Sequence, residues 1–518
     1  MVDRRLAGAL ALISAAPAVA QPATTGIDQR IQEAVGPFTD KIASLVFSAV
    51  SIGGVDVPLI LGWLIAVAVF CTLYFRFINV RGFLLGFRLL RGDYADAKVA
   101  GEVSHFQALA TALSGTVGLG NIAGVALAIK LGGPGATFWM ILAGMLGMAS
   151  KFAECTLGVK YRQINPDGSV SGGPMYTLSR GIAAEYPRLA PLGRVLGMLF
   201  ALFCVGGAIG AGNLFQSNGA QQALVVITGG ADTSWFADKG WLFGLVLAFM
   251  VGIVIVGGMK NIARVTDKLV PLMAGLYLLA GLVVLAVHAE QVPAAFVAIV
   301  RGAFSPEGVA GGAVGVMLIG FRRAAFSNEA GIGSAAIAHS AVKTQYPVTE
   351  GLVATWEPFV DTVVICTMTA LVIVVTDAVH LNQGSNGVAL TAAAFSTVGS
   401  WMPSLLAIAV FLFAYSTMIS YAYYGEKGAT YLFGEKAWVK RGYQLLFLAC
   451  TLVGTTMNFE RLADFSDAVF FLMAIPNVIG IYLLAPVVKR ELDTYLARLK
   501  TGEIRPTREA PEAPMGSP

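Results

Sequence analysis

Long apolar runs separated by short polar segments dominate the sequence. Eleven of these runs are long enough to cross about 30 Å of hydrocarbon, and they lie near 57–79, 104–129, 134–159, 194–214, 240–258, 266–287, 312–337, 353–376, 402–424, 442–458 and 466–487. Segment 28–50 instead alternates apolar and charged positions with a helical period, which predicts a helix along the membrane surface. The pattern predicts an all-α polytopic membrane protein with eleven transmembrane helices.

Two of these runs are interrupted by glycine and small polar residues. The first interruption, at 112–124, reads ALSGTVGLGNIAG, and the second, at 326–335, reads FSNEAGIGSA. Because hydrocarbon offers the backbone no hydrogen-bond partner, a broken helix persists only where it is buried or lines a cavity. A matched pair of breaks in two halves of a chain indicates a transporter's binding site. Glycines that serve only close helix packing are the alternative.

Composition and charge support a membrane topology. Of the 518 residues 56% are apolar and 13% are charged, against about 25% charged residues in average proteins. Arg4, Arg5 and an apolar run ending at Ala18-Val19-Ala20 predict a signal peptide, which puts the N-terminus outside and, after eleven spans, the C-terminus inside. Basic residues concentrate in the segments that are then cytoplasmic. The outer segments hold only Arg30, Lys41, Lys130, Lys239, Arg301 and Arg461.

The interrupted spans are the second and the seventh, so they run in opposite directions, as an inverted repeat requires. The predicted organisation is a signal peptide (1–20), a periplasmic or interfacial segment (21–56), an extra helix with its loop (57–103), repeat one (104–287), repeat two (312–487) and a disordered cytoplasmic tail (488–518).

Polar groups at the breaks suggest what they bind. The ends of half-helices present free N–H and C=O groups to a carboxylate or a cation. Thr116 and Asn121 add oxygens suited to Na⁺, or donors suited to a small zwitterion. Gln216 ends an apolar helix, where it either caps a pocket or lies in an interfacial loop. Ser416 and Thr417 are either sodium ligands or hydroxyls bonded to their own helix.

Ionisable residues inside membrane spans are energetically unfavourable, so each is expected to have a structural or functional role. Lys151 and Glu154, three positions apart, are expected to pair with each other, and His339 is expected to be a polar anchor. The candidates for a gate, a cross-helix ion pair or a proton relay are Arg322, Arg323, Glu329, Glu357 and Asp361.

Several long motifs resemble the alanine-or-glycine:cation symporter family (sodium:alanine symporters). They are GTVGLGNIAGVALAI, GGPGATFWM, KFAECTLGVKYR, DGSVSGGPMY, FSNEAGIGSA, AHSAVKT, FVDTVVICTMTALVI, STM…YYGE and IPN, spread over about residues 50 to 487. The resemblance implies a LeuT-like fold, a 5+5 inverted repeat with one extra N-terminal helix, and transport of alanine or glycine with Na⁺.

The resemblance also implies site residues. The candidate substrate contacts are Gly115, Thr116, Gly118, Gly120, Asn121, Phe215, Gln216, Phe326, Ser327 and Tyr421. The candidate Na⁺ ligands are Ser114, Thr116, Val117, Asn121, Ser416 and Thr417. Three departures stand out: Leu119 replaces a threonine and puts one polar contact in doubt, Ser420 and Tyr421 replace the usual Gly-Trp and affect pocket volume, and Ala336 replaces a proline at a kink.

The sequence therefore predicts a sodium-coupled symporter that imports a small neutral amino acid (alanine or glycine, with serine or D-alanine as variants) across a bacterial inner membrane by alternating access. Proton coupling is the main alternative, and an amino-acid-sensing receptor or a channel is the alternative from another class. An enzyme is not expected, because the four histidines are scattered without metal spacing. Nucleic-acid binding is not expected either. The oligomeric state stays open, although a monomer suffices for transport.

Overall fold

The computed structural model describes residues 41–52, 55–94, 99–230, 232–304, 311–381, 387–457 and 459–506. The predicted signal peptide and most of segment 28–50 lie outside these residues. Within that segment, residues 41–46 are helical, and a short antiparallel hairpin of β1 (Ala49–Ile52) and β2 (Val55–Pro58) follows.

The described residues of the first half of the chain are mainly helical and include one further short hairpin, β3 (Gln163–Ile164) with β4 (Val170–Ser171). Its α-helices are α1 (Leu59–Tyr74), α2 (Ile78–Arg81), α3 (Phe83–Leu90), α4 (His105–Thr116), α5 (Val125–Gly132), α6 (Ala136–Lys160), α7 (Pro174–Tyr176), α8 (Ile182–Glu185), α9 (Ala190–Ile209), α10 (Phe215–Ile227), α11 (Gly240–Ile255) and α12 (Gly258–Val287). Wide π-helical turns at Gly120–Gly124, Thr177–Gly181 and Gly210–Leu214 join neighbouring helices, and short 3₁₀ turns occur at Pro187–Leu189 and Ala289–Gln291.

The second half continues in the same way. Its α-helices are α13 (Val292–Phe304), α14 (Gly312–Asn328), α15 (Ala335–His339), α16 (Pro347–Ala354), α17 (Trp356–Pro358), α18 (Thr367–Val375), α19 (Ala378–Leu381), α20 (Gly387–Ser396), α21 (Met402–Phe433), α22 (Ala437–Gly454), α23 (Phe459–Leu472) and α24 (Ala474–Lys500). A long π-helical turn, Phe359–Cys366, joins α17 to α18.

Among the described residues, six helical stretches are long and apolar enough to cross a membrane, and a seventh forms when the bent pair α4 and α5 is counted as one span. Shorter apolar helices occur at Leu59–Tyr74, Gly240–Ile255 and Gly387–Ser396. The polytopic helical class is therefore confirmed, whereas the count of eleven spans and the 5+5 repeat remain predictions.

Two predicted boundaries are wrong. Gln216 does not end a helix, because the helical stretch Pro187–Ile227 continues beyond it after a π-helical turn at Gly210–Leu214. The predicted disordered tail is helical from 488 to Lys500, since α24 runs on through residues with good helix propensity.

The interrupted helices lie in the interior of the helical bundle. The long helix α21 packs against α4, α9, α10 and α12, and α6 packs against α14 and α16. Small residues allow this close approach. A Cβ atom added at Gly144 would lie 2.9 Å from Thr362 Cβ, and one added at Gly147 would lie 2.7 Å from Ala330 Cβ.

Candidate functional site: two interrupted helices around a buried carboxylate

The first break lies between α4 and α5, whose axes differ by 53°. Helix α4 ends at Thr116, and the π-helical turn that leads into α5 begins at Gly120. Within the break, the backbone N–H of Gly118 donates to Asn121 Oδ1 at 2.8 Å. Asn121 is fully buried, so its side chain takes the place of the backbone acceptor that the unwound turn lacks.

Gln216 supports the same break from helix α10. Its Oε1 accepts the N–H of Leu119 at 3.1 Å, and its Nε2 donates to the carbonyl of Ala211 at 3.1 Å. Gln216 therefore ties the break to the π-helical turn Gly210–Leu214. The adjacent Phe215 packs edge-on against Phe326 with ring centroids 5.5 Å apart, which brings α10 to the second break.

The second break begins where α14 ends at Asn328. Glu329 adopts a left-handed conformation with φ 58°, and Gly331 and Gly333 follow with φ 87° and 93°. The Asn328 side chain accepts the N–H of Ala330 at 3.0 Å and donates to Thr362 Oγ1 at 3.0 Å. An asparagine beside each break thus satisfies backbone groups that hydrocarbon would leave unpaired.

The carboxylate of Asp361 joins the two breaks. Asn121 Nδ2 donates to Oδ1 at 2.6 Å, and Ser327 Oγ and Thr362 Oγ1 each donate to Oδ2 at 2.8 Å. Asp361 has no exposed surface, and none of these three donors is a cationic side chain. Sequence reasoning placed Asp361 with the gate residues, whereas the structure places it against both breaks.

Ser416 and Thr417 lie beside the first break on α21. Their hydroxyls donate to the carbonyl of Phe413 at 2.9 and 3.0 Å, so they are bonded to their own helix. Ser416 Oγ also lies 3.4 Å from the carbonyl of Ser114, and Ser114 Oγ donates to the carbonyl of Ser416 at 2.7 Å. A Cβ added at Gly118 would lie 2.6 Å from Thr417 Oγ1. The alternative in which these hydroxyls bond to their own helix is therefore observed, and their role as sodium ligands stays a prediction.

Tyr421 and Glu329 close the space between the breaks. The Tyr421 hydroxyl donates to Glu329 Oε1 at 2.5 Å, and Ser334 donates to Glu329 Oε2. The Tyr421 ring lies so close to Gly212 that an added Cβ would be 2.2 Å from its Cγ. The neighbouring cavity is lined by Gly115, Thr116, Gly120, Ala211, Gln216, Phe326, Glu329, Thr417, Tyr421 and Phe470. Its volume open to water is about 10 Å³, the room of about one water molecule. The site is closed in this conformation.

The side chain of Leu119 is directed away from this cavity. A Cβ added at Gly219 would lie 2.3 Å from Leu119 Cδ1, so the leucine packs against α10. Leu119 is fully buried and is not among the residues that line the cavity. Leu119 therefore takes part in helix packing here, and the effect of this departure on polar contacts stays a prediction.

Arg322 and Arg323 contact Asp467 of α23. Arg322 Nη2 and Arg323 Nη2 lie 2.8 and 2.6 Å from Asp467 Oδ2. Beneath them, Phe326 packs against Phe470 with ring centroids 5.3 Å apart. The expected cross-helix ion pair is present, with a partner that sequence reasoning did not identify.

A buried chain of charged groups connects α4, α6, α15, α16 and α17. His105 Nδ1 contacts Glu350 Oε2, and His339 Nδ1 lies 2.6 Å from Glu350 Oε1. His339 Nε2 lies 3.5 Å from Glu357 Oε2, and Lys151 Nζ lies 3.0 Å from Glu357 Oε1. We call these five residues the inner charge cluster, after the side of the membrane on which the sequence predicts them to lie.

The inner charge cluster corrects two expectations. Lys151 pairs with Glu357 rather than with Glu154, which instead accepts from Asn477 Nδ2 at 2.9 Å. His339 is fully buried between two carboxylates, so it is not an anchor at the membrane surface. Sequence reasoning missed the cluster because its contacting members are up to 245 positions apart in the chain. The unusual number of ionisable residues in apolar segments was the available signal.

Two interrupted helices that meet at a closed, buried polar site, in a bundle of apolar helices, define a secondary transporter. The chain belongs to the sodium:alanine symporter family, whose model matches residues 40–510. It is therefore a multi-pass membrane transporter.

Relatives and a solved structure agree with this assignment. The chain is 38% identical to the sodium/alanine symporter AgcS of Methanococcus maripaludis over 441 residues, covering 85% of this chain and 94% of that protein. It is 34% identical to the amino-acid carrier protein AlsT of Bacillus subtilis, covering 85% and 90%. A third relative, named as a probable sodium/glutamine symporter of Bacillus subtilis, is 35% identical over 85% of this chain and 88% of that protein. The crystal structure of MhsT with L-phenylalanine aligns with a TM-score of 0.52 and 14% identity over 76% of this chain and 99% of that one, which supports the LeuT-like fold alone.

Proposed function

We propose that this chain is a sodium-coupled symporter that imports a small neutral amino acid, alanine or glycine, by alternating access. The relative with 38% identity is named as a sodium/alanine symporter. The closed cavity also favours a small substrate, because glycine, alanine and aromatic side chains surround it. Glutamine is the competing substrate, since another relative is named for it.

The observation that carries cation coupling is the Asp361 carboxylate. A buried charge is expensive unless it is paired, and the described side chains that bond to Asp361 are neutral amide and hydroxyl donors. A bound cation would compensate this charge. Asn121, Ser327 and Asp361 then form one proposed Na⁺ position at the junction of the breaks, and Ser114, Val117, Ser416 and Thr417 form a second one. Thr116 faces the cavity between them.

Substrate would bind in an opened form of the same cavity. The half-helix ends at Gly115 to Gly120 suit the carboxylate and ammonium groups of an amino acid. Phe326 and Tyr421 would limit side-chain size. Arg322 and Arg323 with Asp467 are the proposed outer gate. The inner charge cluster, which includes Glu357, is the proposed closure on the opposite side. Inward movement of one positive charge down about 100 mV supplies roughly 2.3 kcal/mol, which supports about fifty-fold accumulation.

The test is uptake of labelled alanine into proteoliposomes, driven by an inward Na⁺ gradient or an equal K⁺ gradient. We expect alanine to accumulate with the Na⁺ gradient but not with the K⁺ gradient. The Asn121→Ala variant should not accumulate alanine with either gradient. Uptake driven by acid pH without Na⁺ would overturn sodium coupling in favour of proton coupling through Asp361 or Glu329. Uptake of glutamine in place of alanine would leave the coupling intact and change the substrate.

The proposed location is the bacterial inner membrane, with the N-terminus in the periplasm and the C-terminus in the cytoplasm. The bias of Lys and Arg toward the predicted inner segments supports this orientation. Membrane-impermeant labelling of a cysteine placed at half-buried Lys239 in intact cells tests it, with a cysteine at exposed Lys436 as the inner control. Labelling at position 436 alone would reverse the proposed orientation.

A further inference from the structure

A groove with basic walls lies between the helix pair α2–α3 and the end of α24. Its volume open to water is about 830 Å³. Leu85, Tyr94, Leu496, Leu499 and Ile504 supply apolar surface, and Arg81, Arg88, Lys500 and Arg505 supply charge. We call it the basic groove. It is distinct from the site between the two breaks and shares no lining residue with it.

Among the described residues, the charge of the basic groove is largely uncompensated. Arg88 Nε lies 3.6 Å from Asp93 Oδ2. Arg81 and Arg505 donate only to the backbone carbonyls of Arg76 and Gly502. Within the described part of the chain, neither they nor Lys500 forms an ion pair with a carboxylate, and no acidic residue lines the groove. An anion would therefore find three of these four cations without a carboxylate partner among the described residues, and would compete only with Asp93 for Arg88.

The groove also lies at the level expected for lipid headgroups. Helix α24 has 27 residues, which corresponds to about 40 Å, whereas the hydrocarbon core is about 30 Å thick. Its charged last turns must therefore leave the hydrocarbon. On α3, Leu84 and Phe87 are 74% and 47% exposed beside the basic residues, which is typical of a helix lying in the membrane interface.

We propose that the basic groove binds one anionic phospholipid. Its phosphate would contact Arg81, Arg88, Lys500 and Arg505, and an acyl chain would lie along Leu85 and Leu496. Basic pockets between helices near the cytoplasmic face have the chemistry that anionic headgroups require. A zwitterionic lipid would add an ammonium group to a groove already lined by four cations, so charge complementarity favours an anionic one.

The bound lipid would act on the inner side of the transporter through α3. A Cβ added at Gly86 would lie 2.5 Å from the carbonyl of Leu352 on α16. Phe83 stacks on Trp356 with ring centroids 3.9 Å apart, and Trp356 Nε1 donates to the carbonyl of Phe83 at 3.1 Å. The same segment carries Glu350 and Glu357 of the inner charge cluster. A lipid that holds α3 in place therefore stabilises the closed inner side, and this second step rests on the proposed function.

Binding is tested by native mass spectrometry of the full chain with phosphatidylglycerol or phosphatidylcholine. The groove variant is Arg81→Gln/Arg88→Gln/Lys500→Gln/Arg505→Gln. The control variant, Arg188→Gln/Arg194→Gln/Lys260→Gln/Arg264→Gln, removes four exposed charges from other predicted cytoplasmic segments. We expect the groove variant to retain about ten-fold less phosphatidylglycerol, and the control to match the parent chain. Equal loss in both variants, or equal retention of phosphatidylcholine by the parent, would overturn the proposal.

Two further measurements complete the test. The first distinguishes a lipid site from a site for free phosphate, and the second asks whether the bound lipid affects transport. Millimolar glycerol 3-phosphate should not displace the bound lipid, and displacement would identify a phosphate site instead. Alanine uptake by the parent should be faster in vesicles containing phosphatidylglycerol than in pure phosphatidylcholine, and the groove variant should lose this difference. An unchanged difference would refute the effect on transport. If no vesicle supports uptake by the parent, the proposed function fails while the binding measurement still decides the lipid site.

Discussion

Asp361 is the residue on which the proposed cation coupling depends most. It lies between Asn121 and Ser327, and the described side chains that bond to its carboxyl group are neutral donors. Replacing it by asparagine keeps the shape and removes the charge. We expect Asp361→Asn to lower Na⁺ affinity at least about ten-fold, because a charged ligand contributes more than about 1.4 kcal/mol in a buried site. Titration of the thermal midpoint with NaCl, against KCl at equal ionic strength, measures this.

The matched control for Asp361→Asn is Asp377→Asn, since Asp377 is exposed and pairs locally with His380. The control should keep the Na⁺ response of the parent chain. If Asp361→Asn also keeps it, the cation does not bind at the junction of the breaks, and the hydroxyl pair Ser416–Thr417 becomes the proposed position.

Leu119→Thr restores the residue that the family pattern has at this position, and it tests where the side chain acts. Leu119 packs against Gly219 and does not line the cavity. We therefore expect the KM for alanine to change less than about two-fold, and the protein to lose about 2 kcal/mol of stability from the lost apolar contact. Thr116→Val, which alters a cavity-lining residue at similar volume, is the comparison and should raise KM. A large change in KM for Leu119→Thr would show that its side chain reaches the substrate.

At this scale the sequence predicted the positions of both breaks, and several of the candidate residues that it indicated lie together in the structure. Thr116, Asn121, Gln216 and Ser327 all lie within one polar region. It did not predict the pairing of Lys151. The partner expected from the sequence was Glu154, which lies three positions away on the same helix. The actual partner, Glu357, is 206 positions away, and no local pattern contains that distance.

At the scale of helices, the inner charge cluster holds α6 against α17 through the Lys151–Glu357 pair, in which both side chains have no exposed surface. Removing one member leaves a buried unpaired charge. We expect Lys151→Met or Glu357→Gln alone to destabilise the fold by about 3–5 kcal/mol. The double variant should lose less than the sum of the two, because no charge is then left unpaired. Denaturation of the four proteins in one detergent measures this coupling.

Lys160 and Glu491 are the control ion pair for this double-mutant comparison. They lie 2.6 Å apart and are about 30% exposed, so their coupling should be below about 1 kcal/mol. Equal coupling for the buried and the half-exposed pair would mean that water reaches Lys151 and that the inner side is open in solution.

The sequence predicts the helices of the structure, but it does not predict the π-helical turns between them. Apolar runs predict helices because every backbone group needs a partner in hydrocarbon, and α6, α12 and α21 are examples. The π-helical turns at Gly210–Leu214 and Phe359–Cys366 were not predicted, since their residues fit an ordinary helix equally well. These turns place Gln216 and Asp361, so the part of the site that sequence reasoning left incomplete depends on them.

For the whole molecule, the closed cavity requires two openings per cycle. The cavity volume of about 10 Å³ is too small for an amino acid, so substrate enters only when an outer or an inner contact is released. The proposed outer contact is that of Arg322 and Arg323 with Asp467, and the proposed inner one includes the charge cluster. Transport then requires that the two sides open in turn, because simultaneous opening would let Na⁺ pass without substrate.

Na⁺ and the amino acid are proposed to bind next to each other at the junction between the breaks. Their binding affinities should therefore depend on each other by a factor that can be measured. If Na⁺ compensates Asp361 and substrate fills the adjoining cavity, each ligand improves the site of the other. Linkage requires the two factors to be equal, and we expect a value between about 5 and 150. The Kd for alanine with and without Na⁺, and the Kd for Na⁺ with and without alanine, both measured by calorimetry on the purified chain, give the two factors. Unequal factors at equilibrium would indicate an additional bound ion. A factor of one would mean that the two ligands bind independently, in which case the shared carboxylate between the breaks does not couple them and symport would need another physical basis.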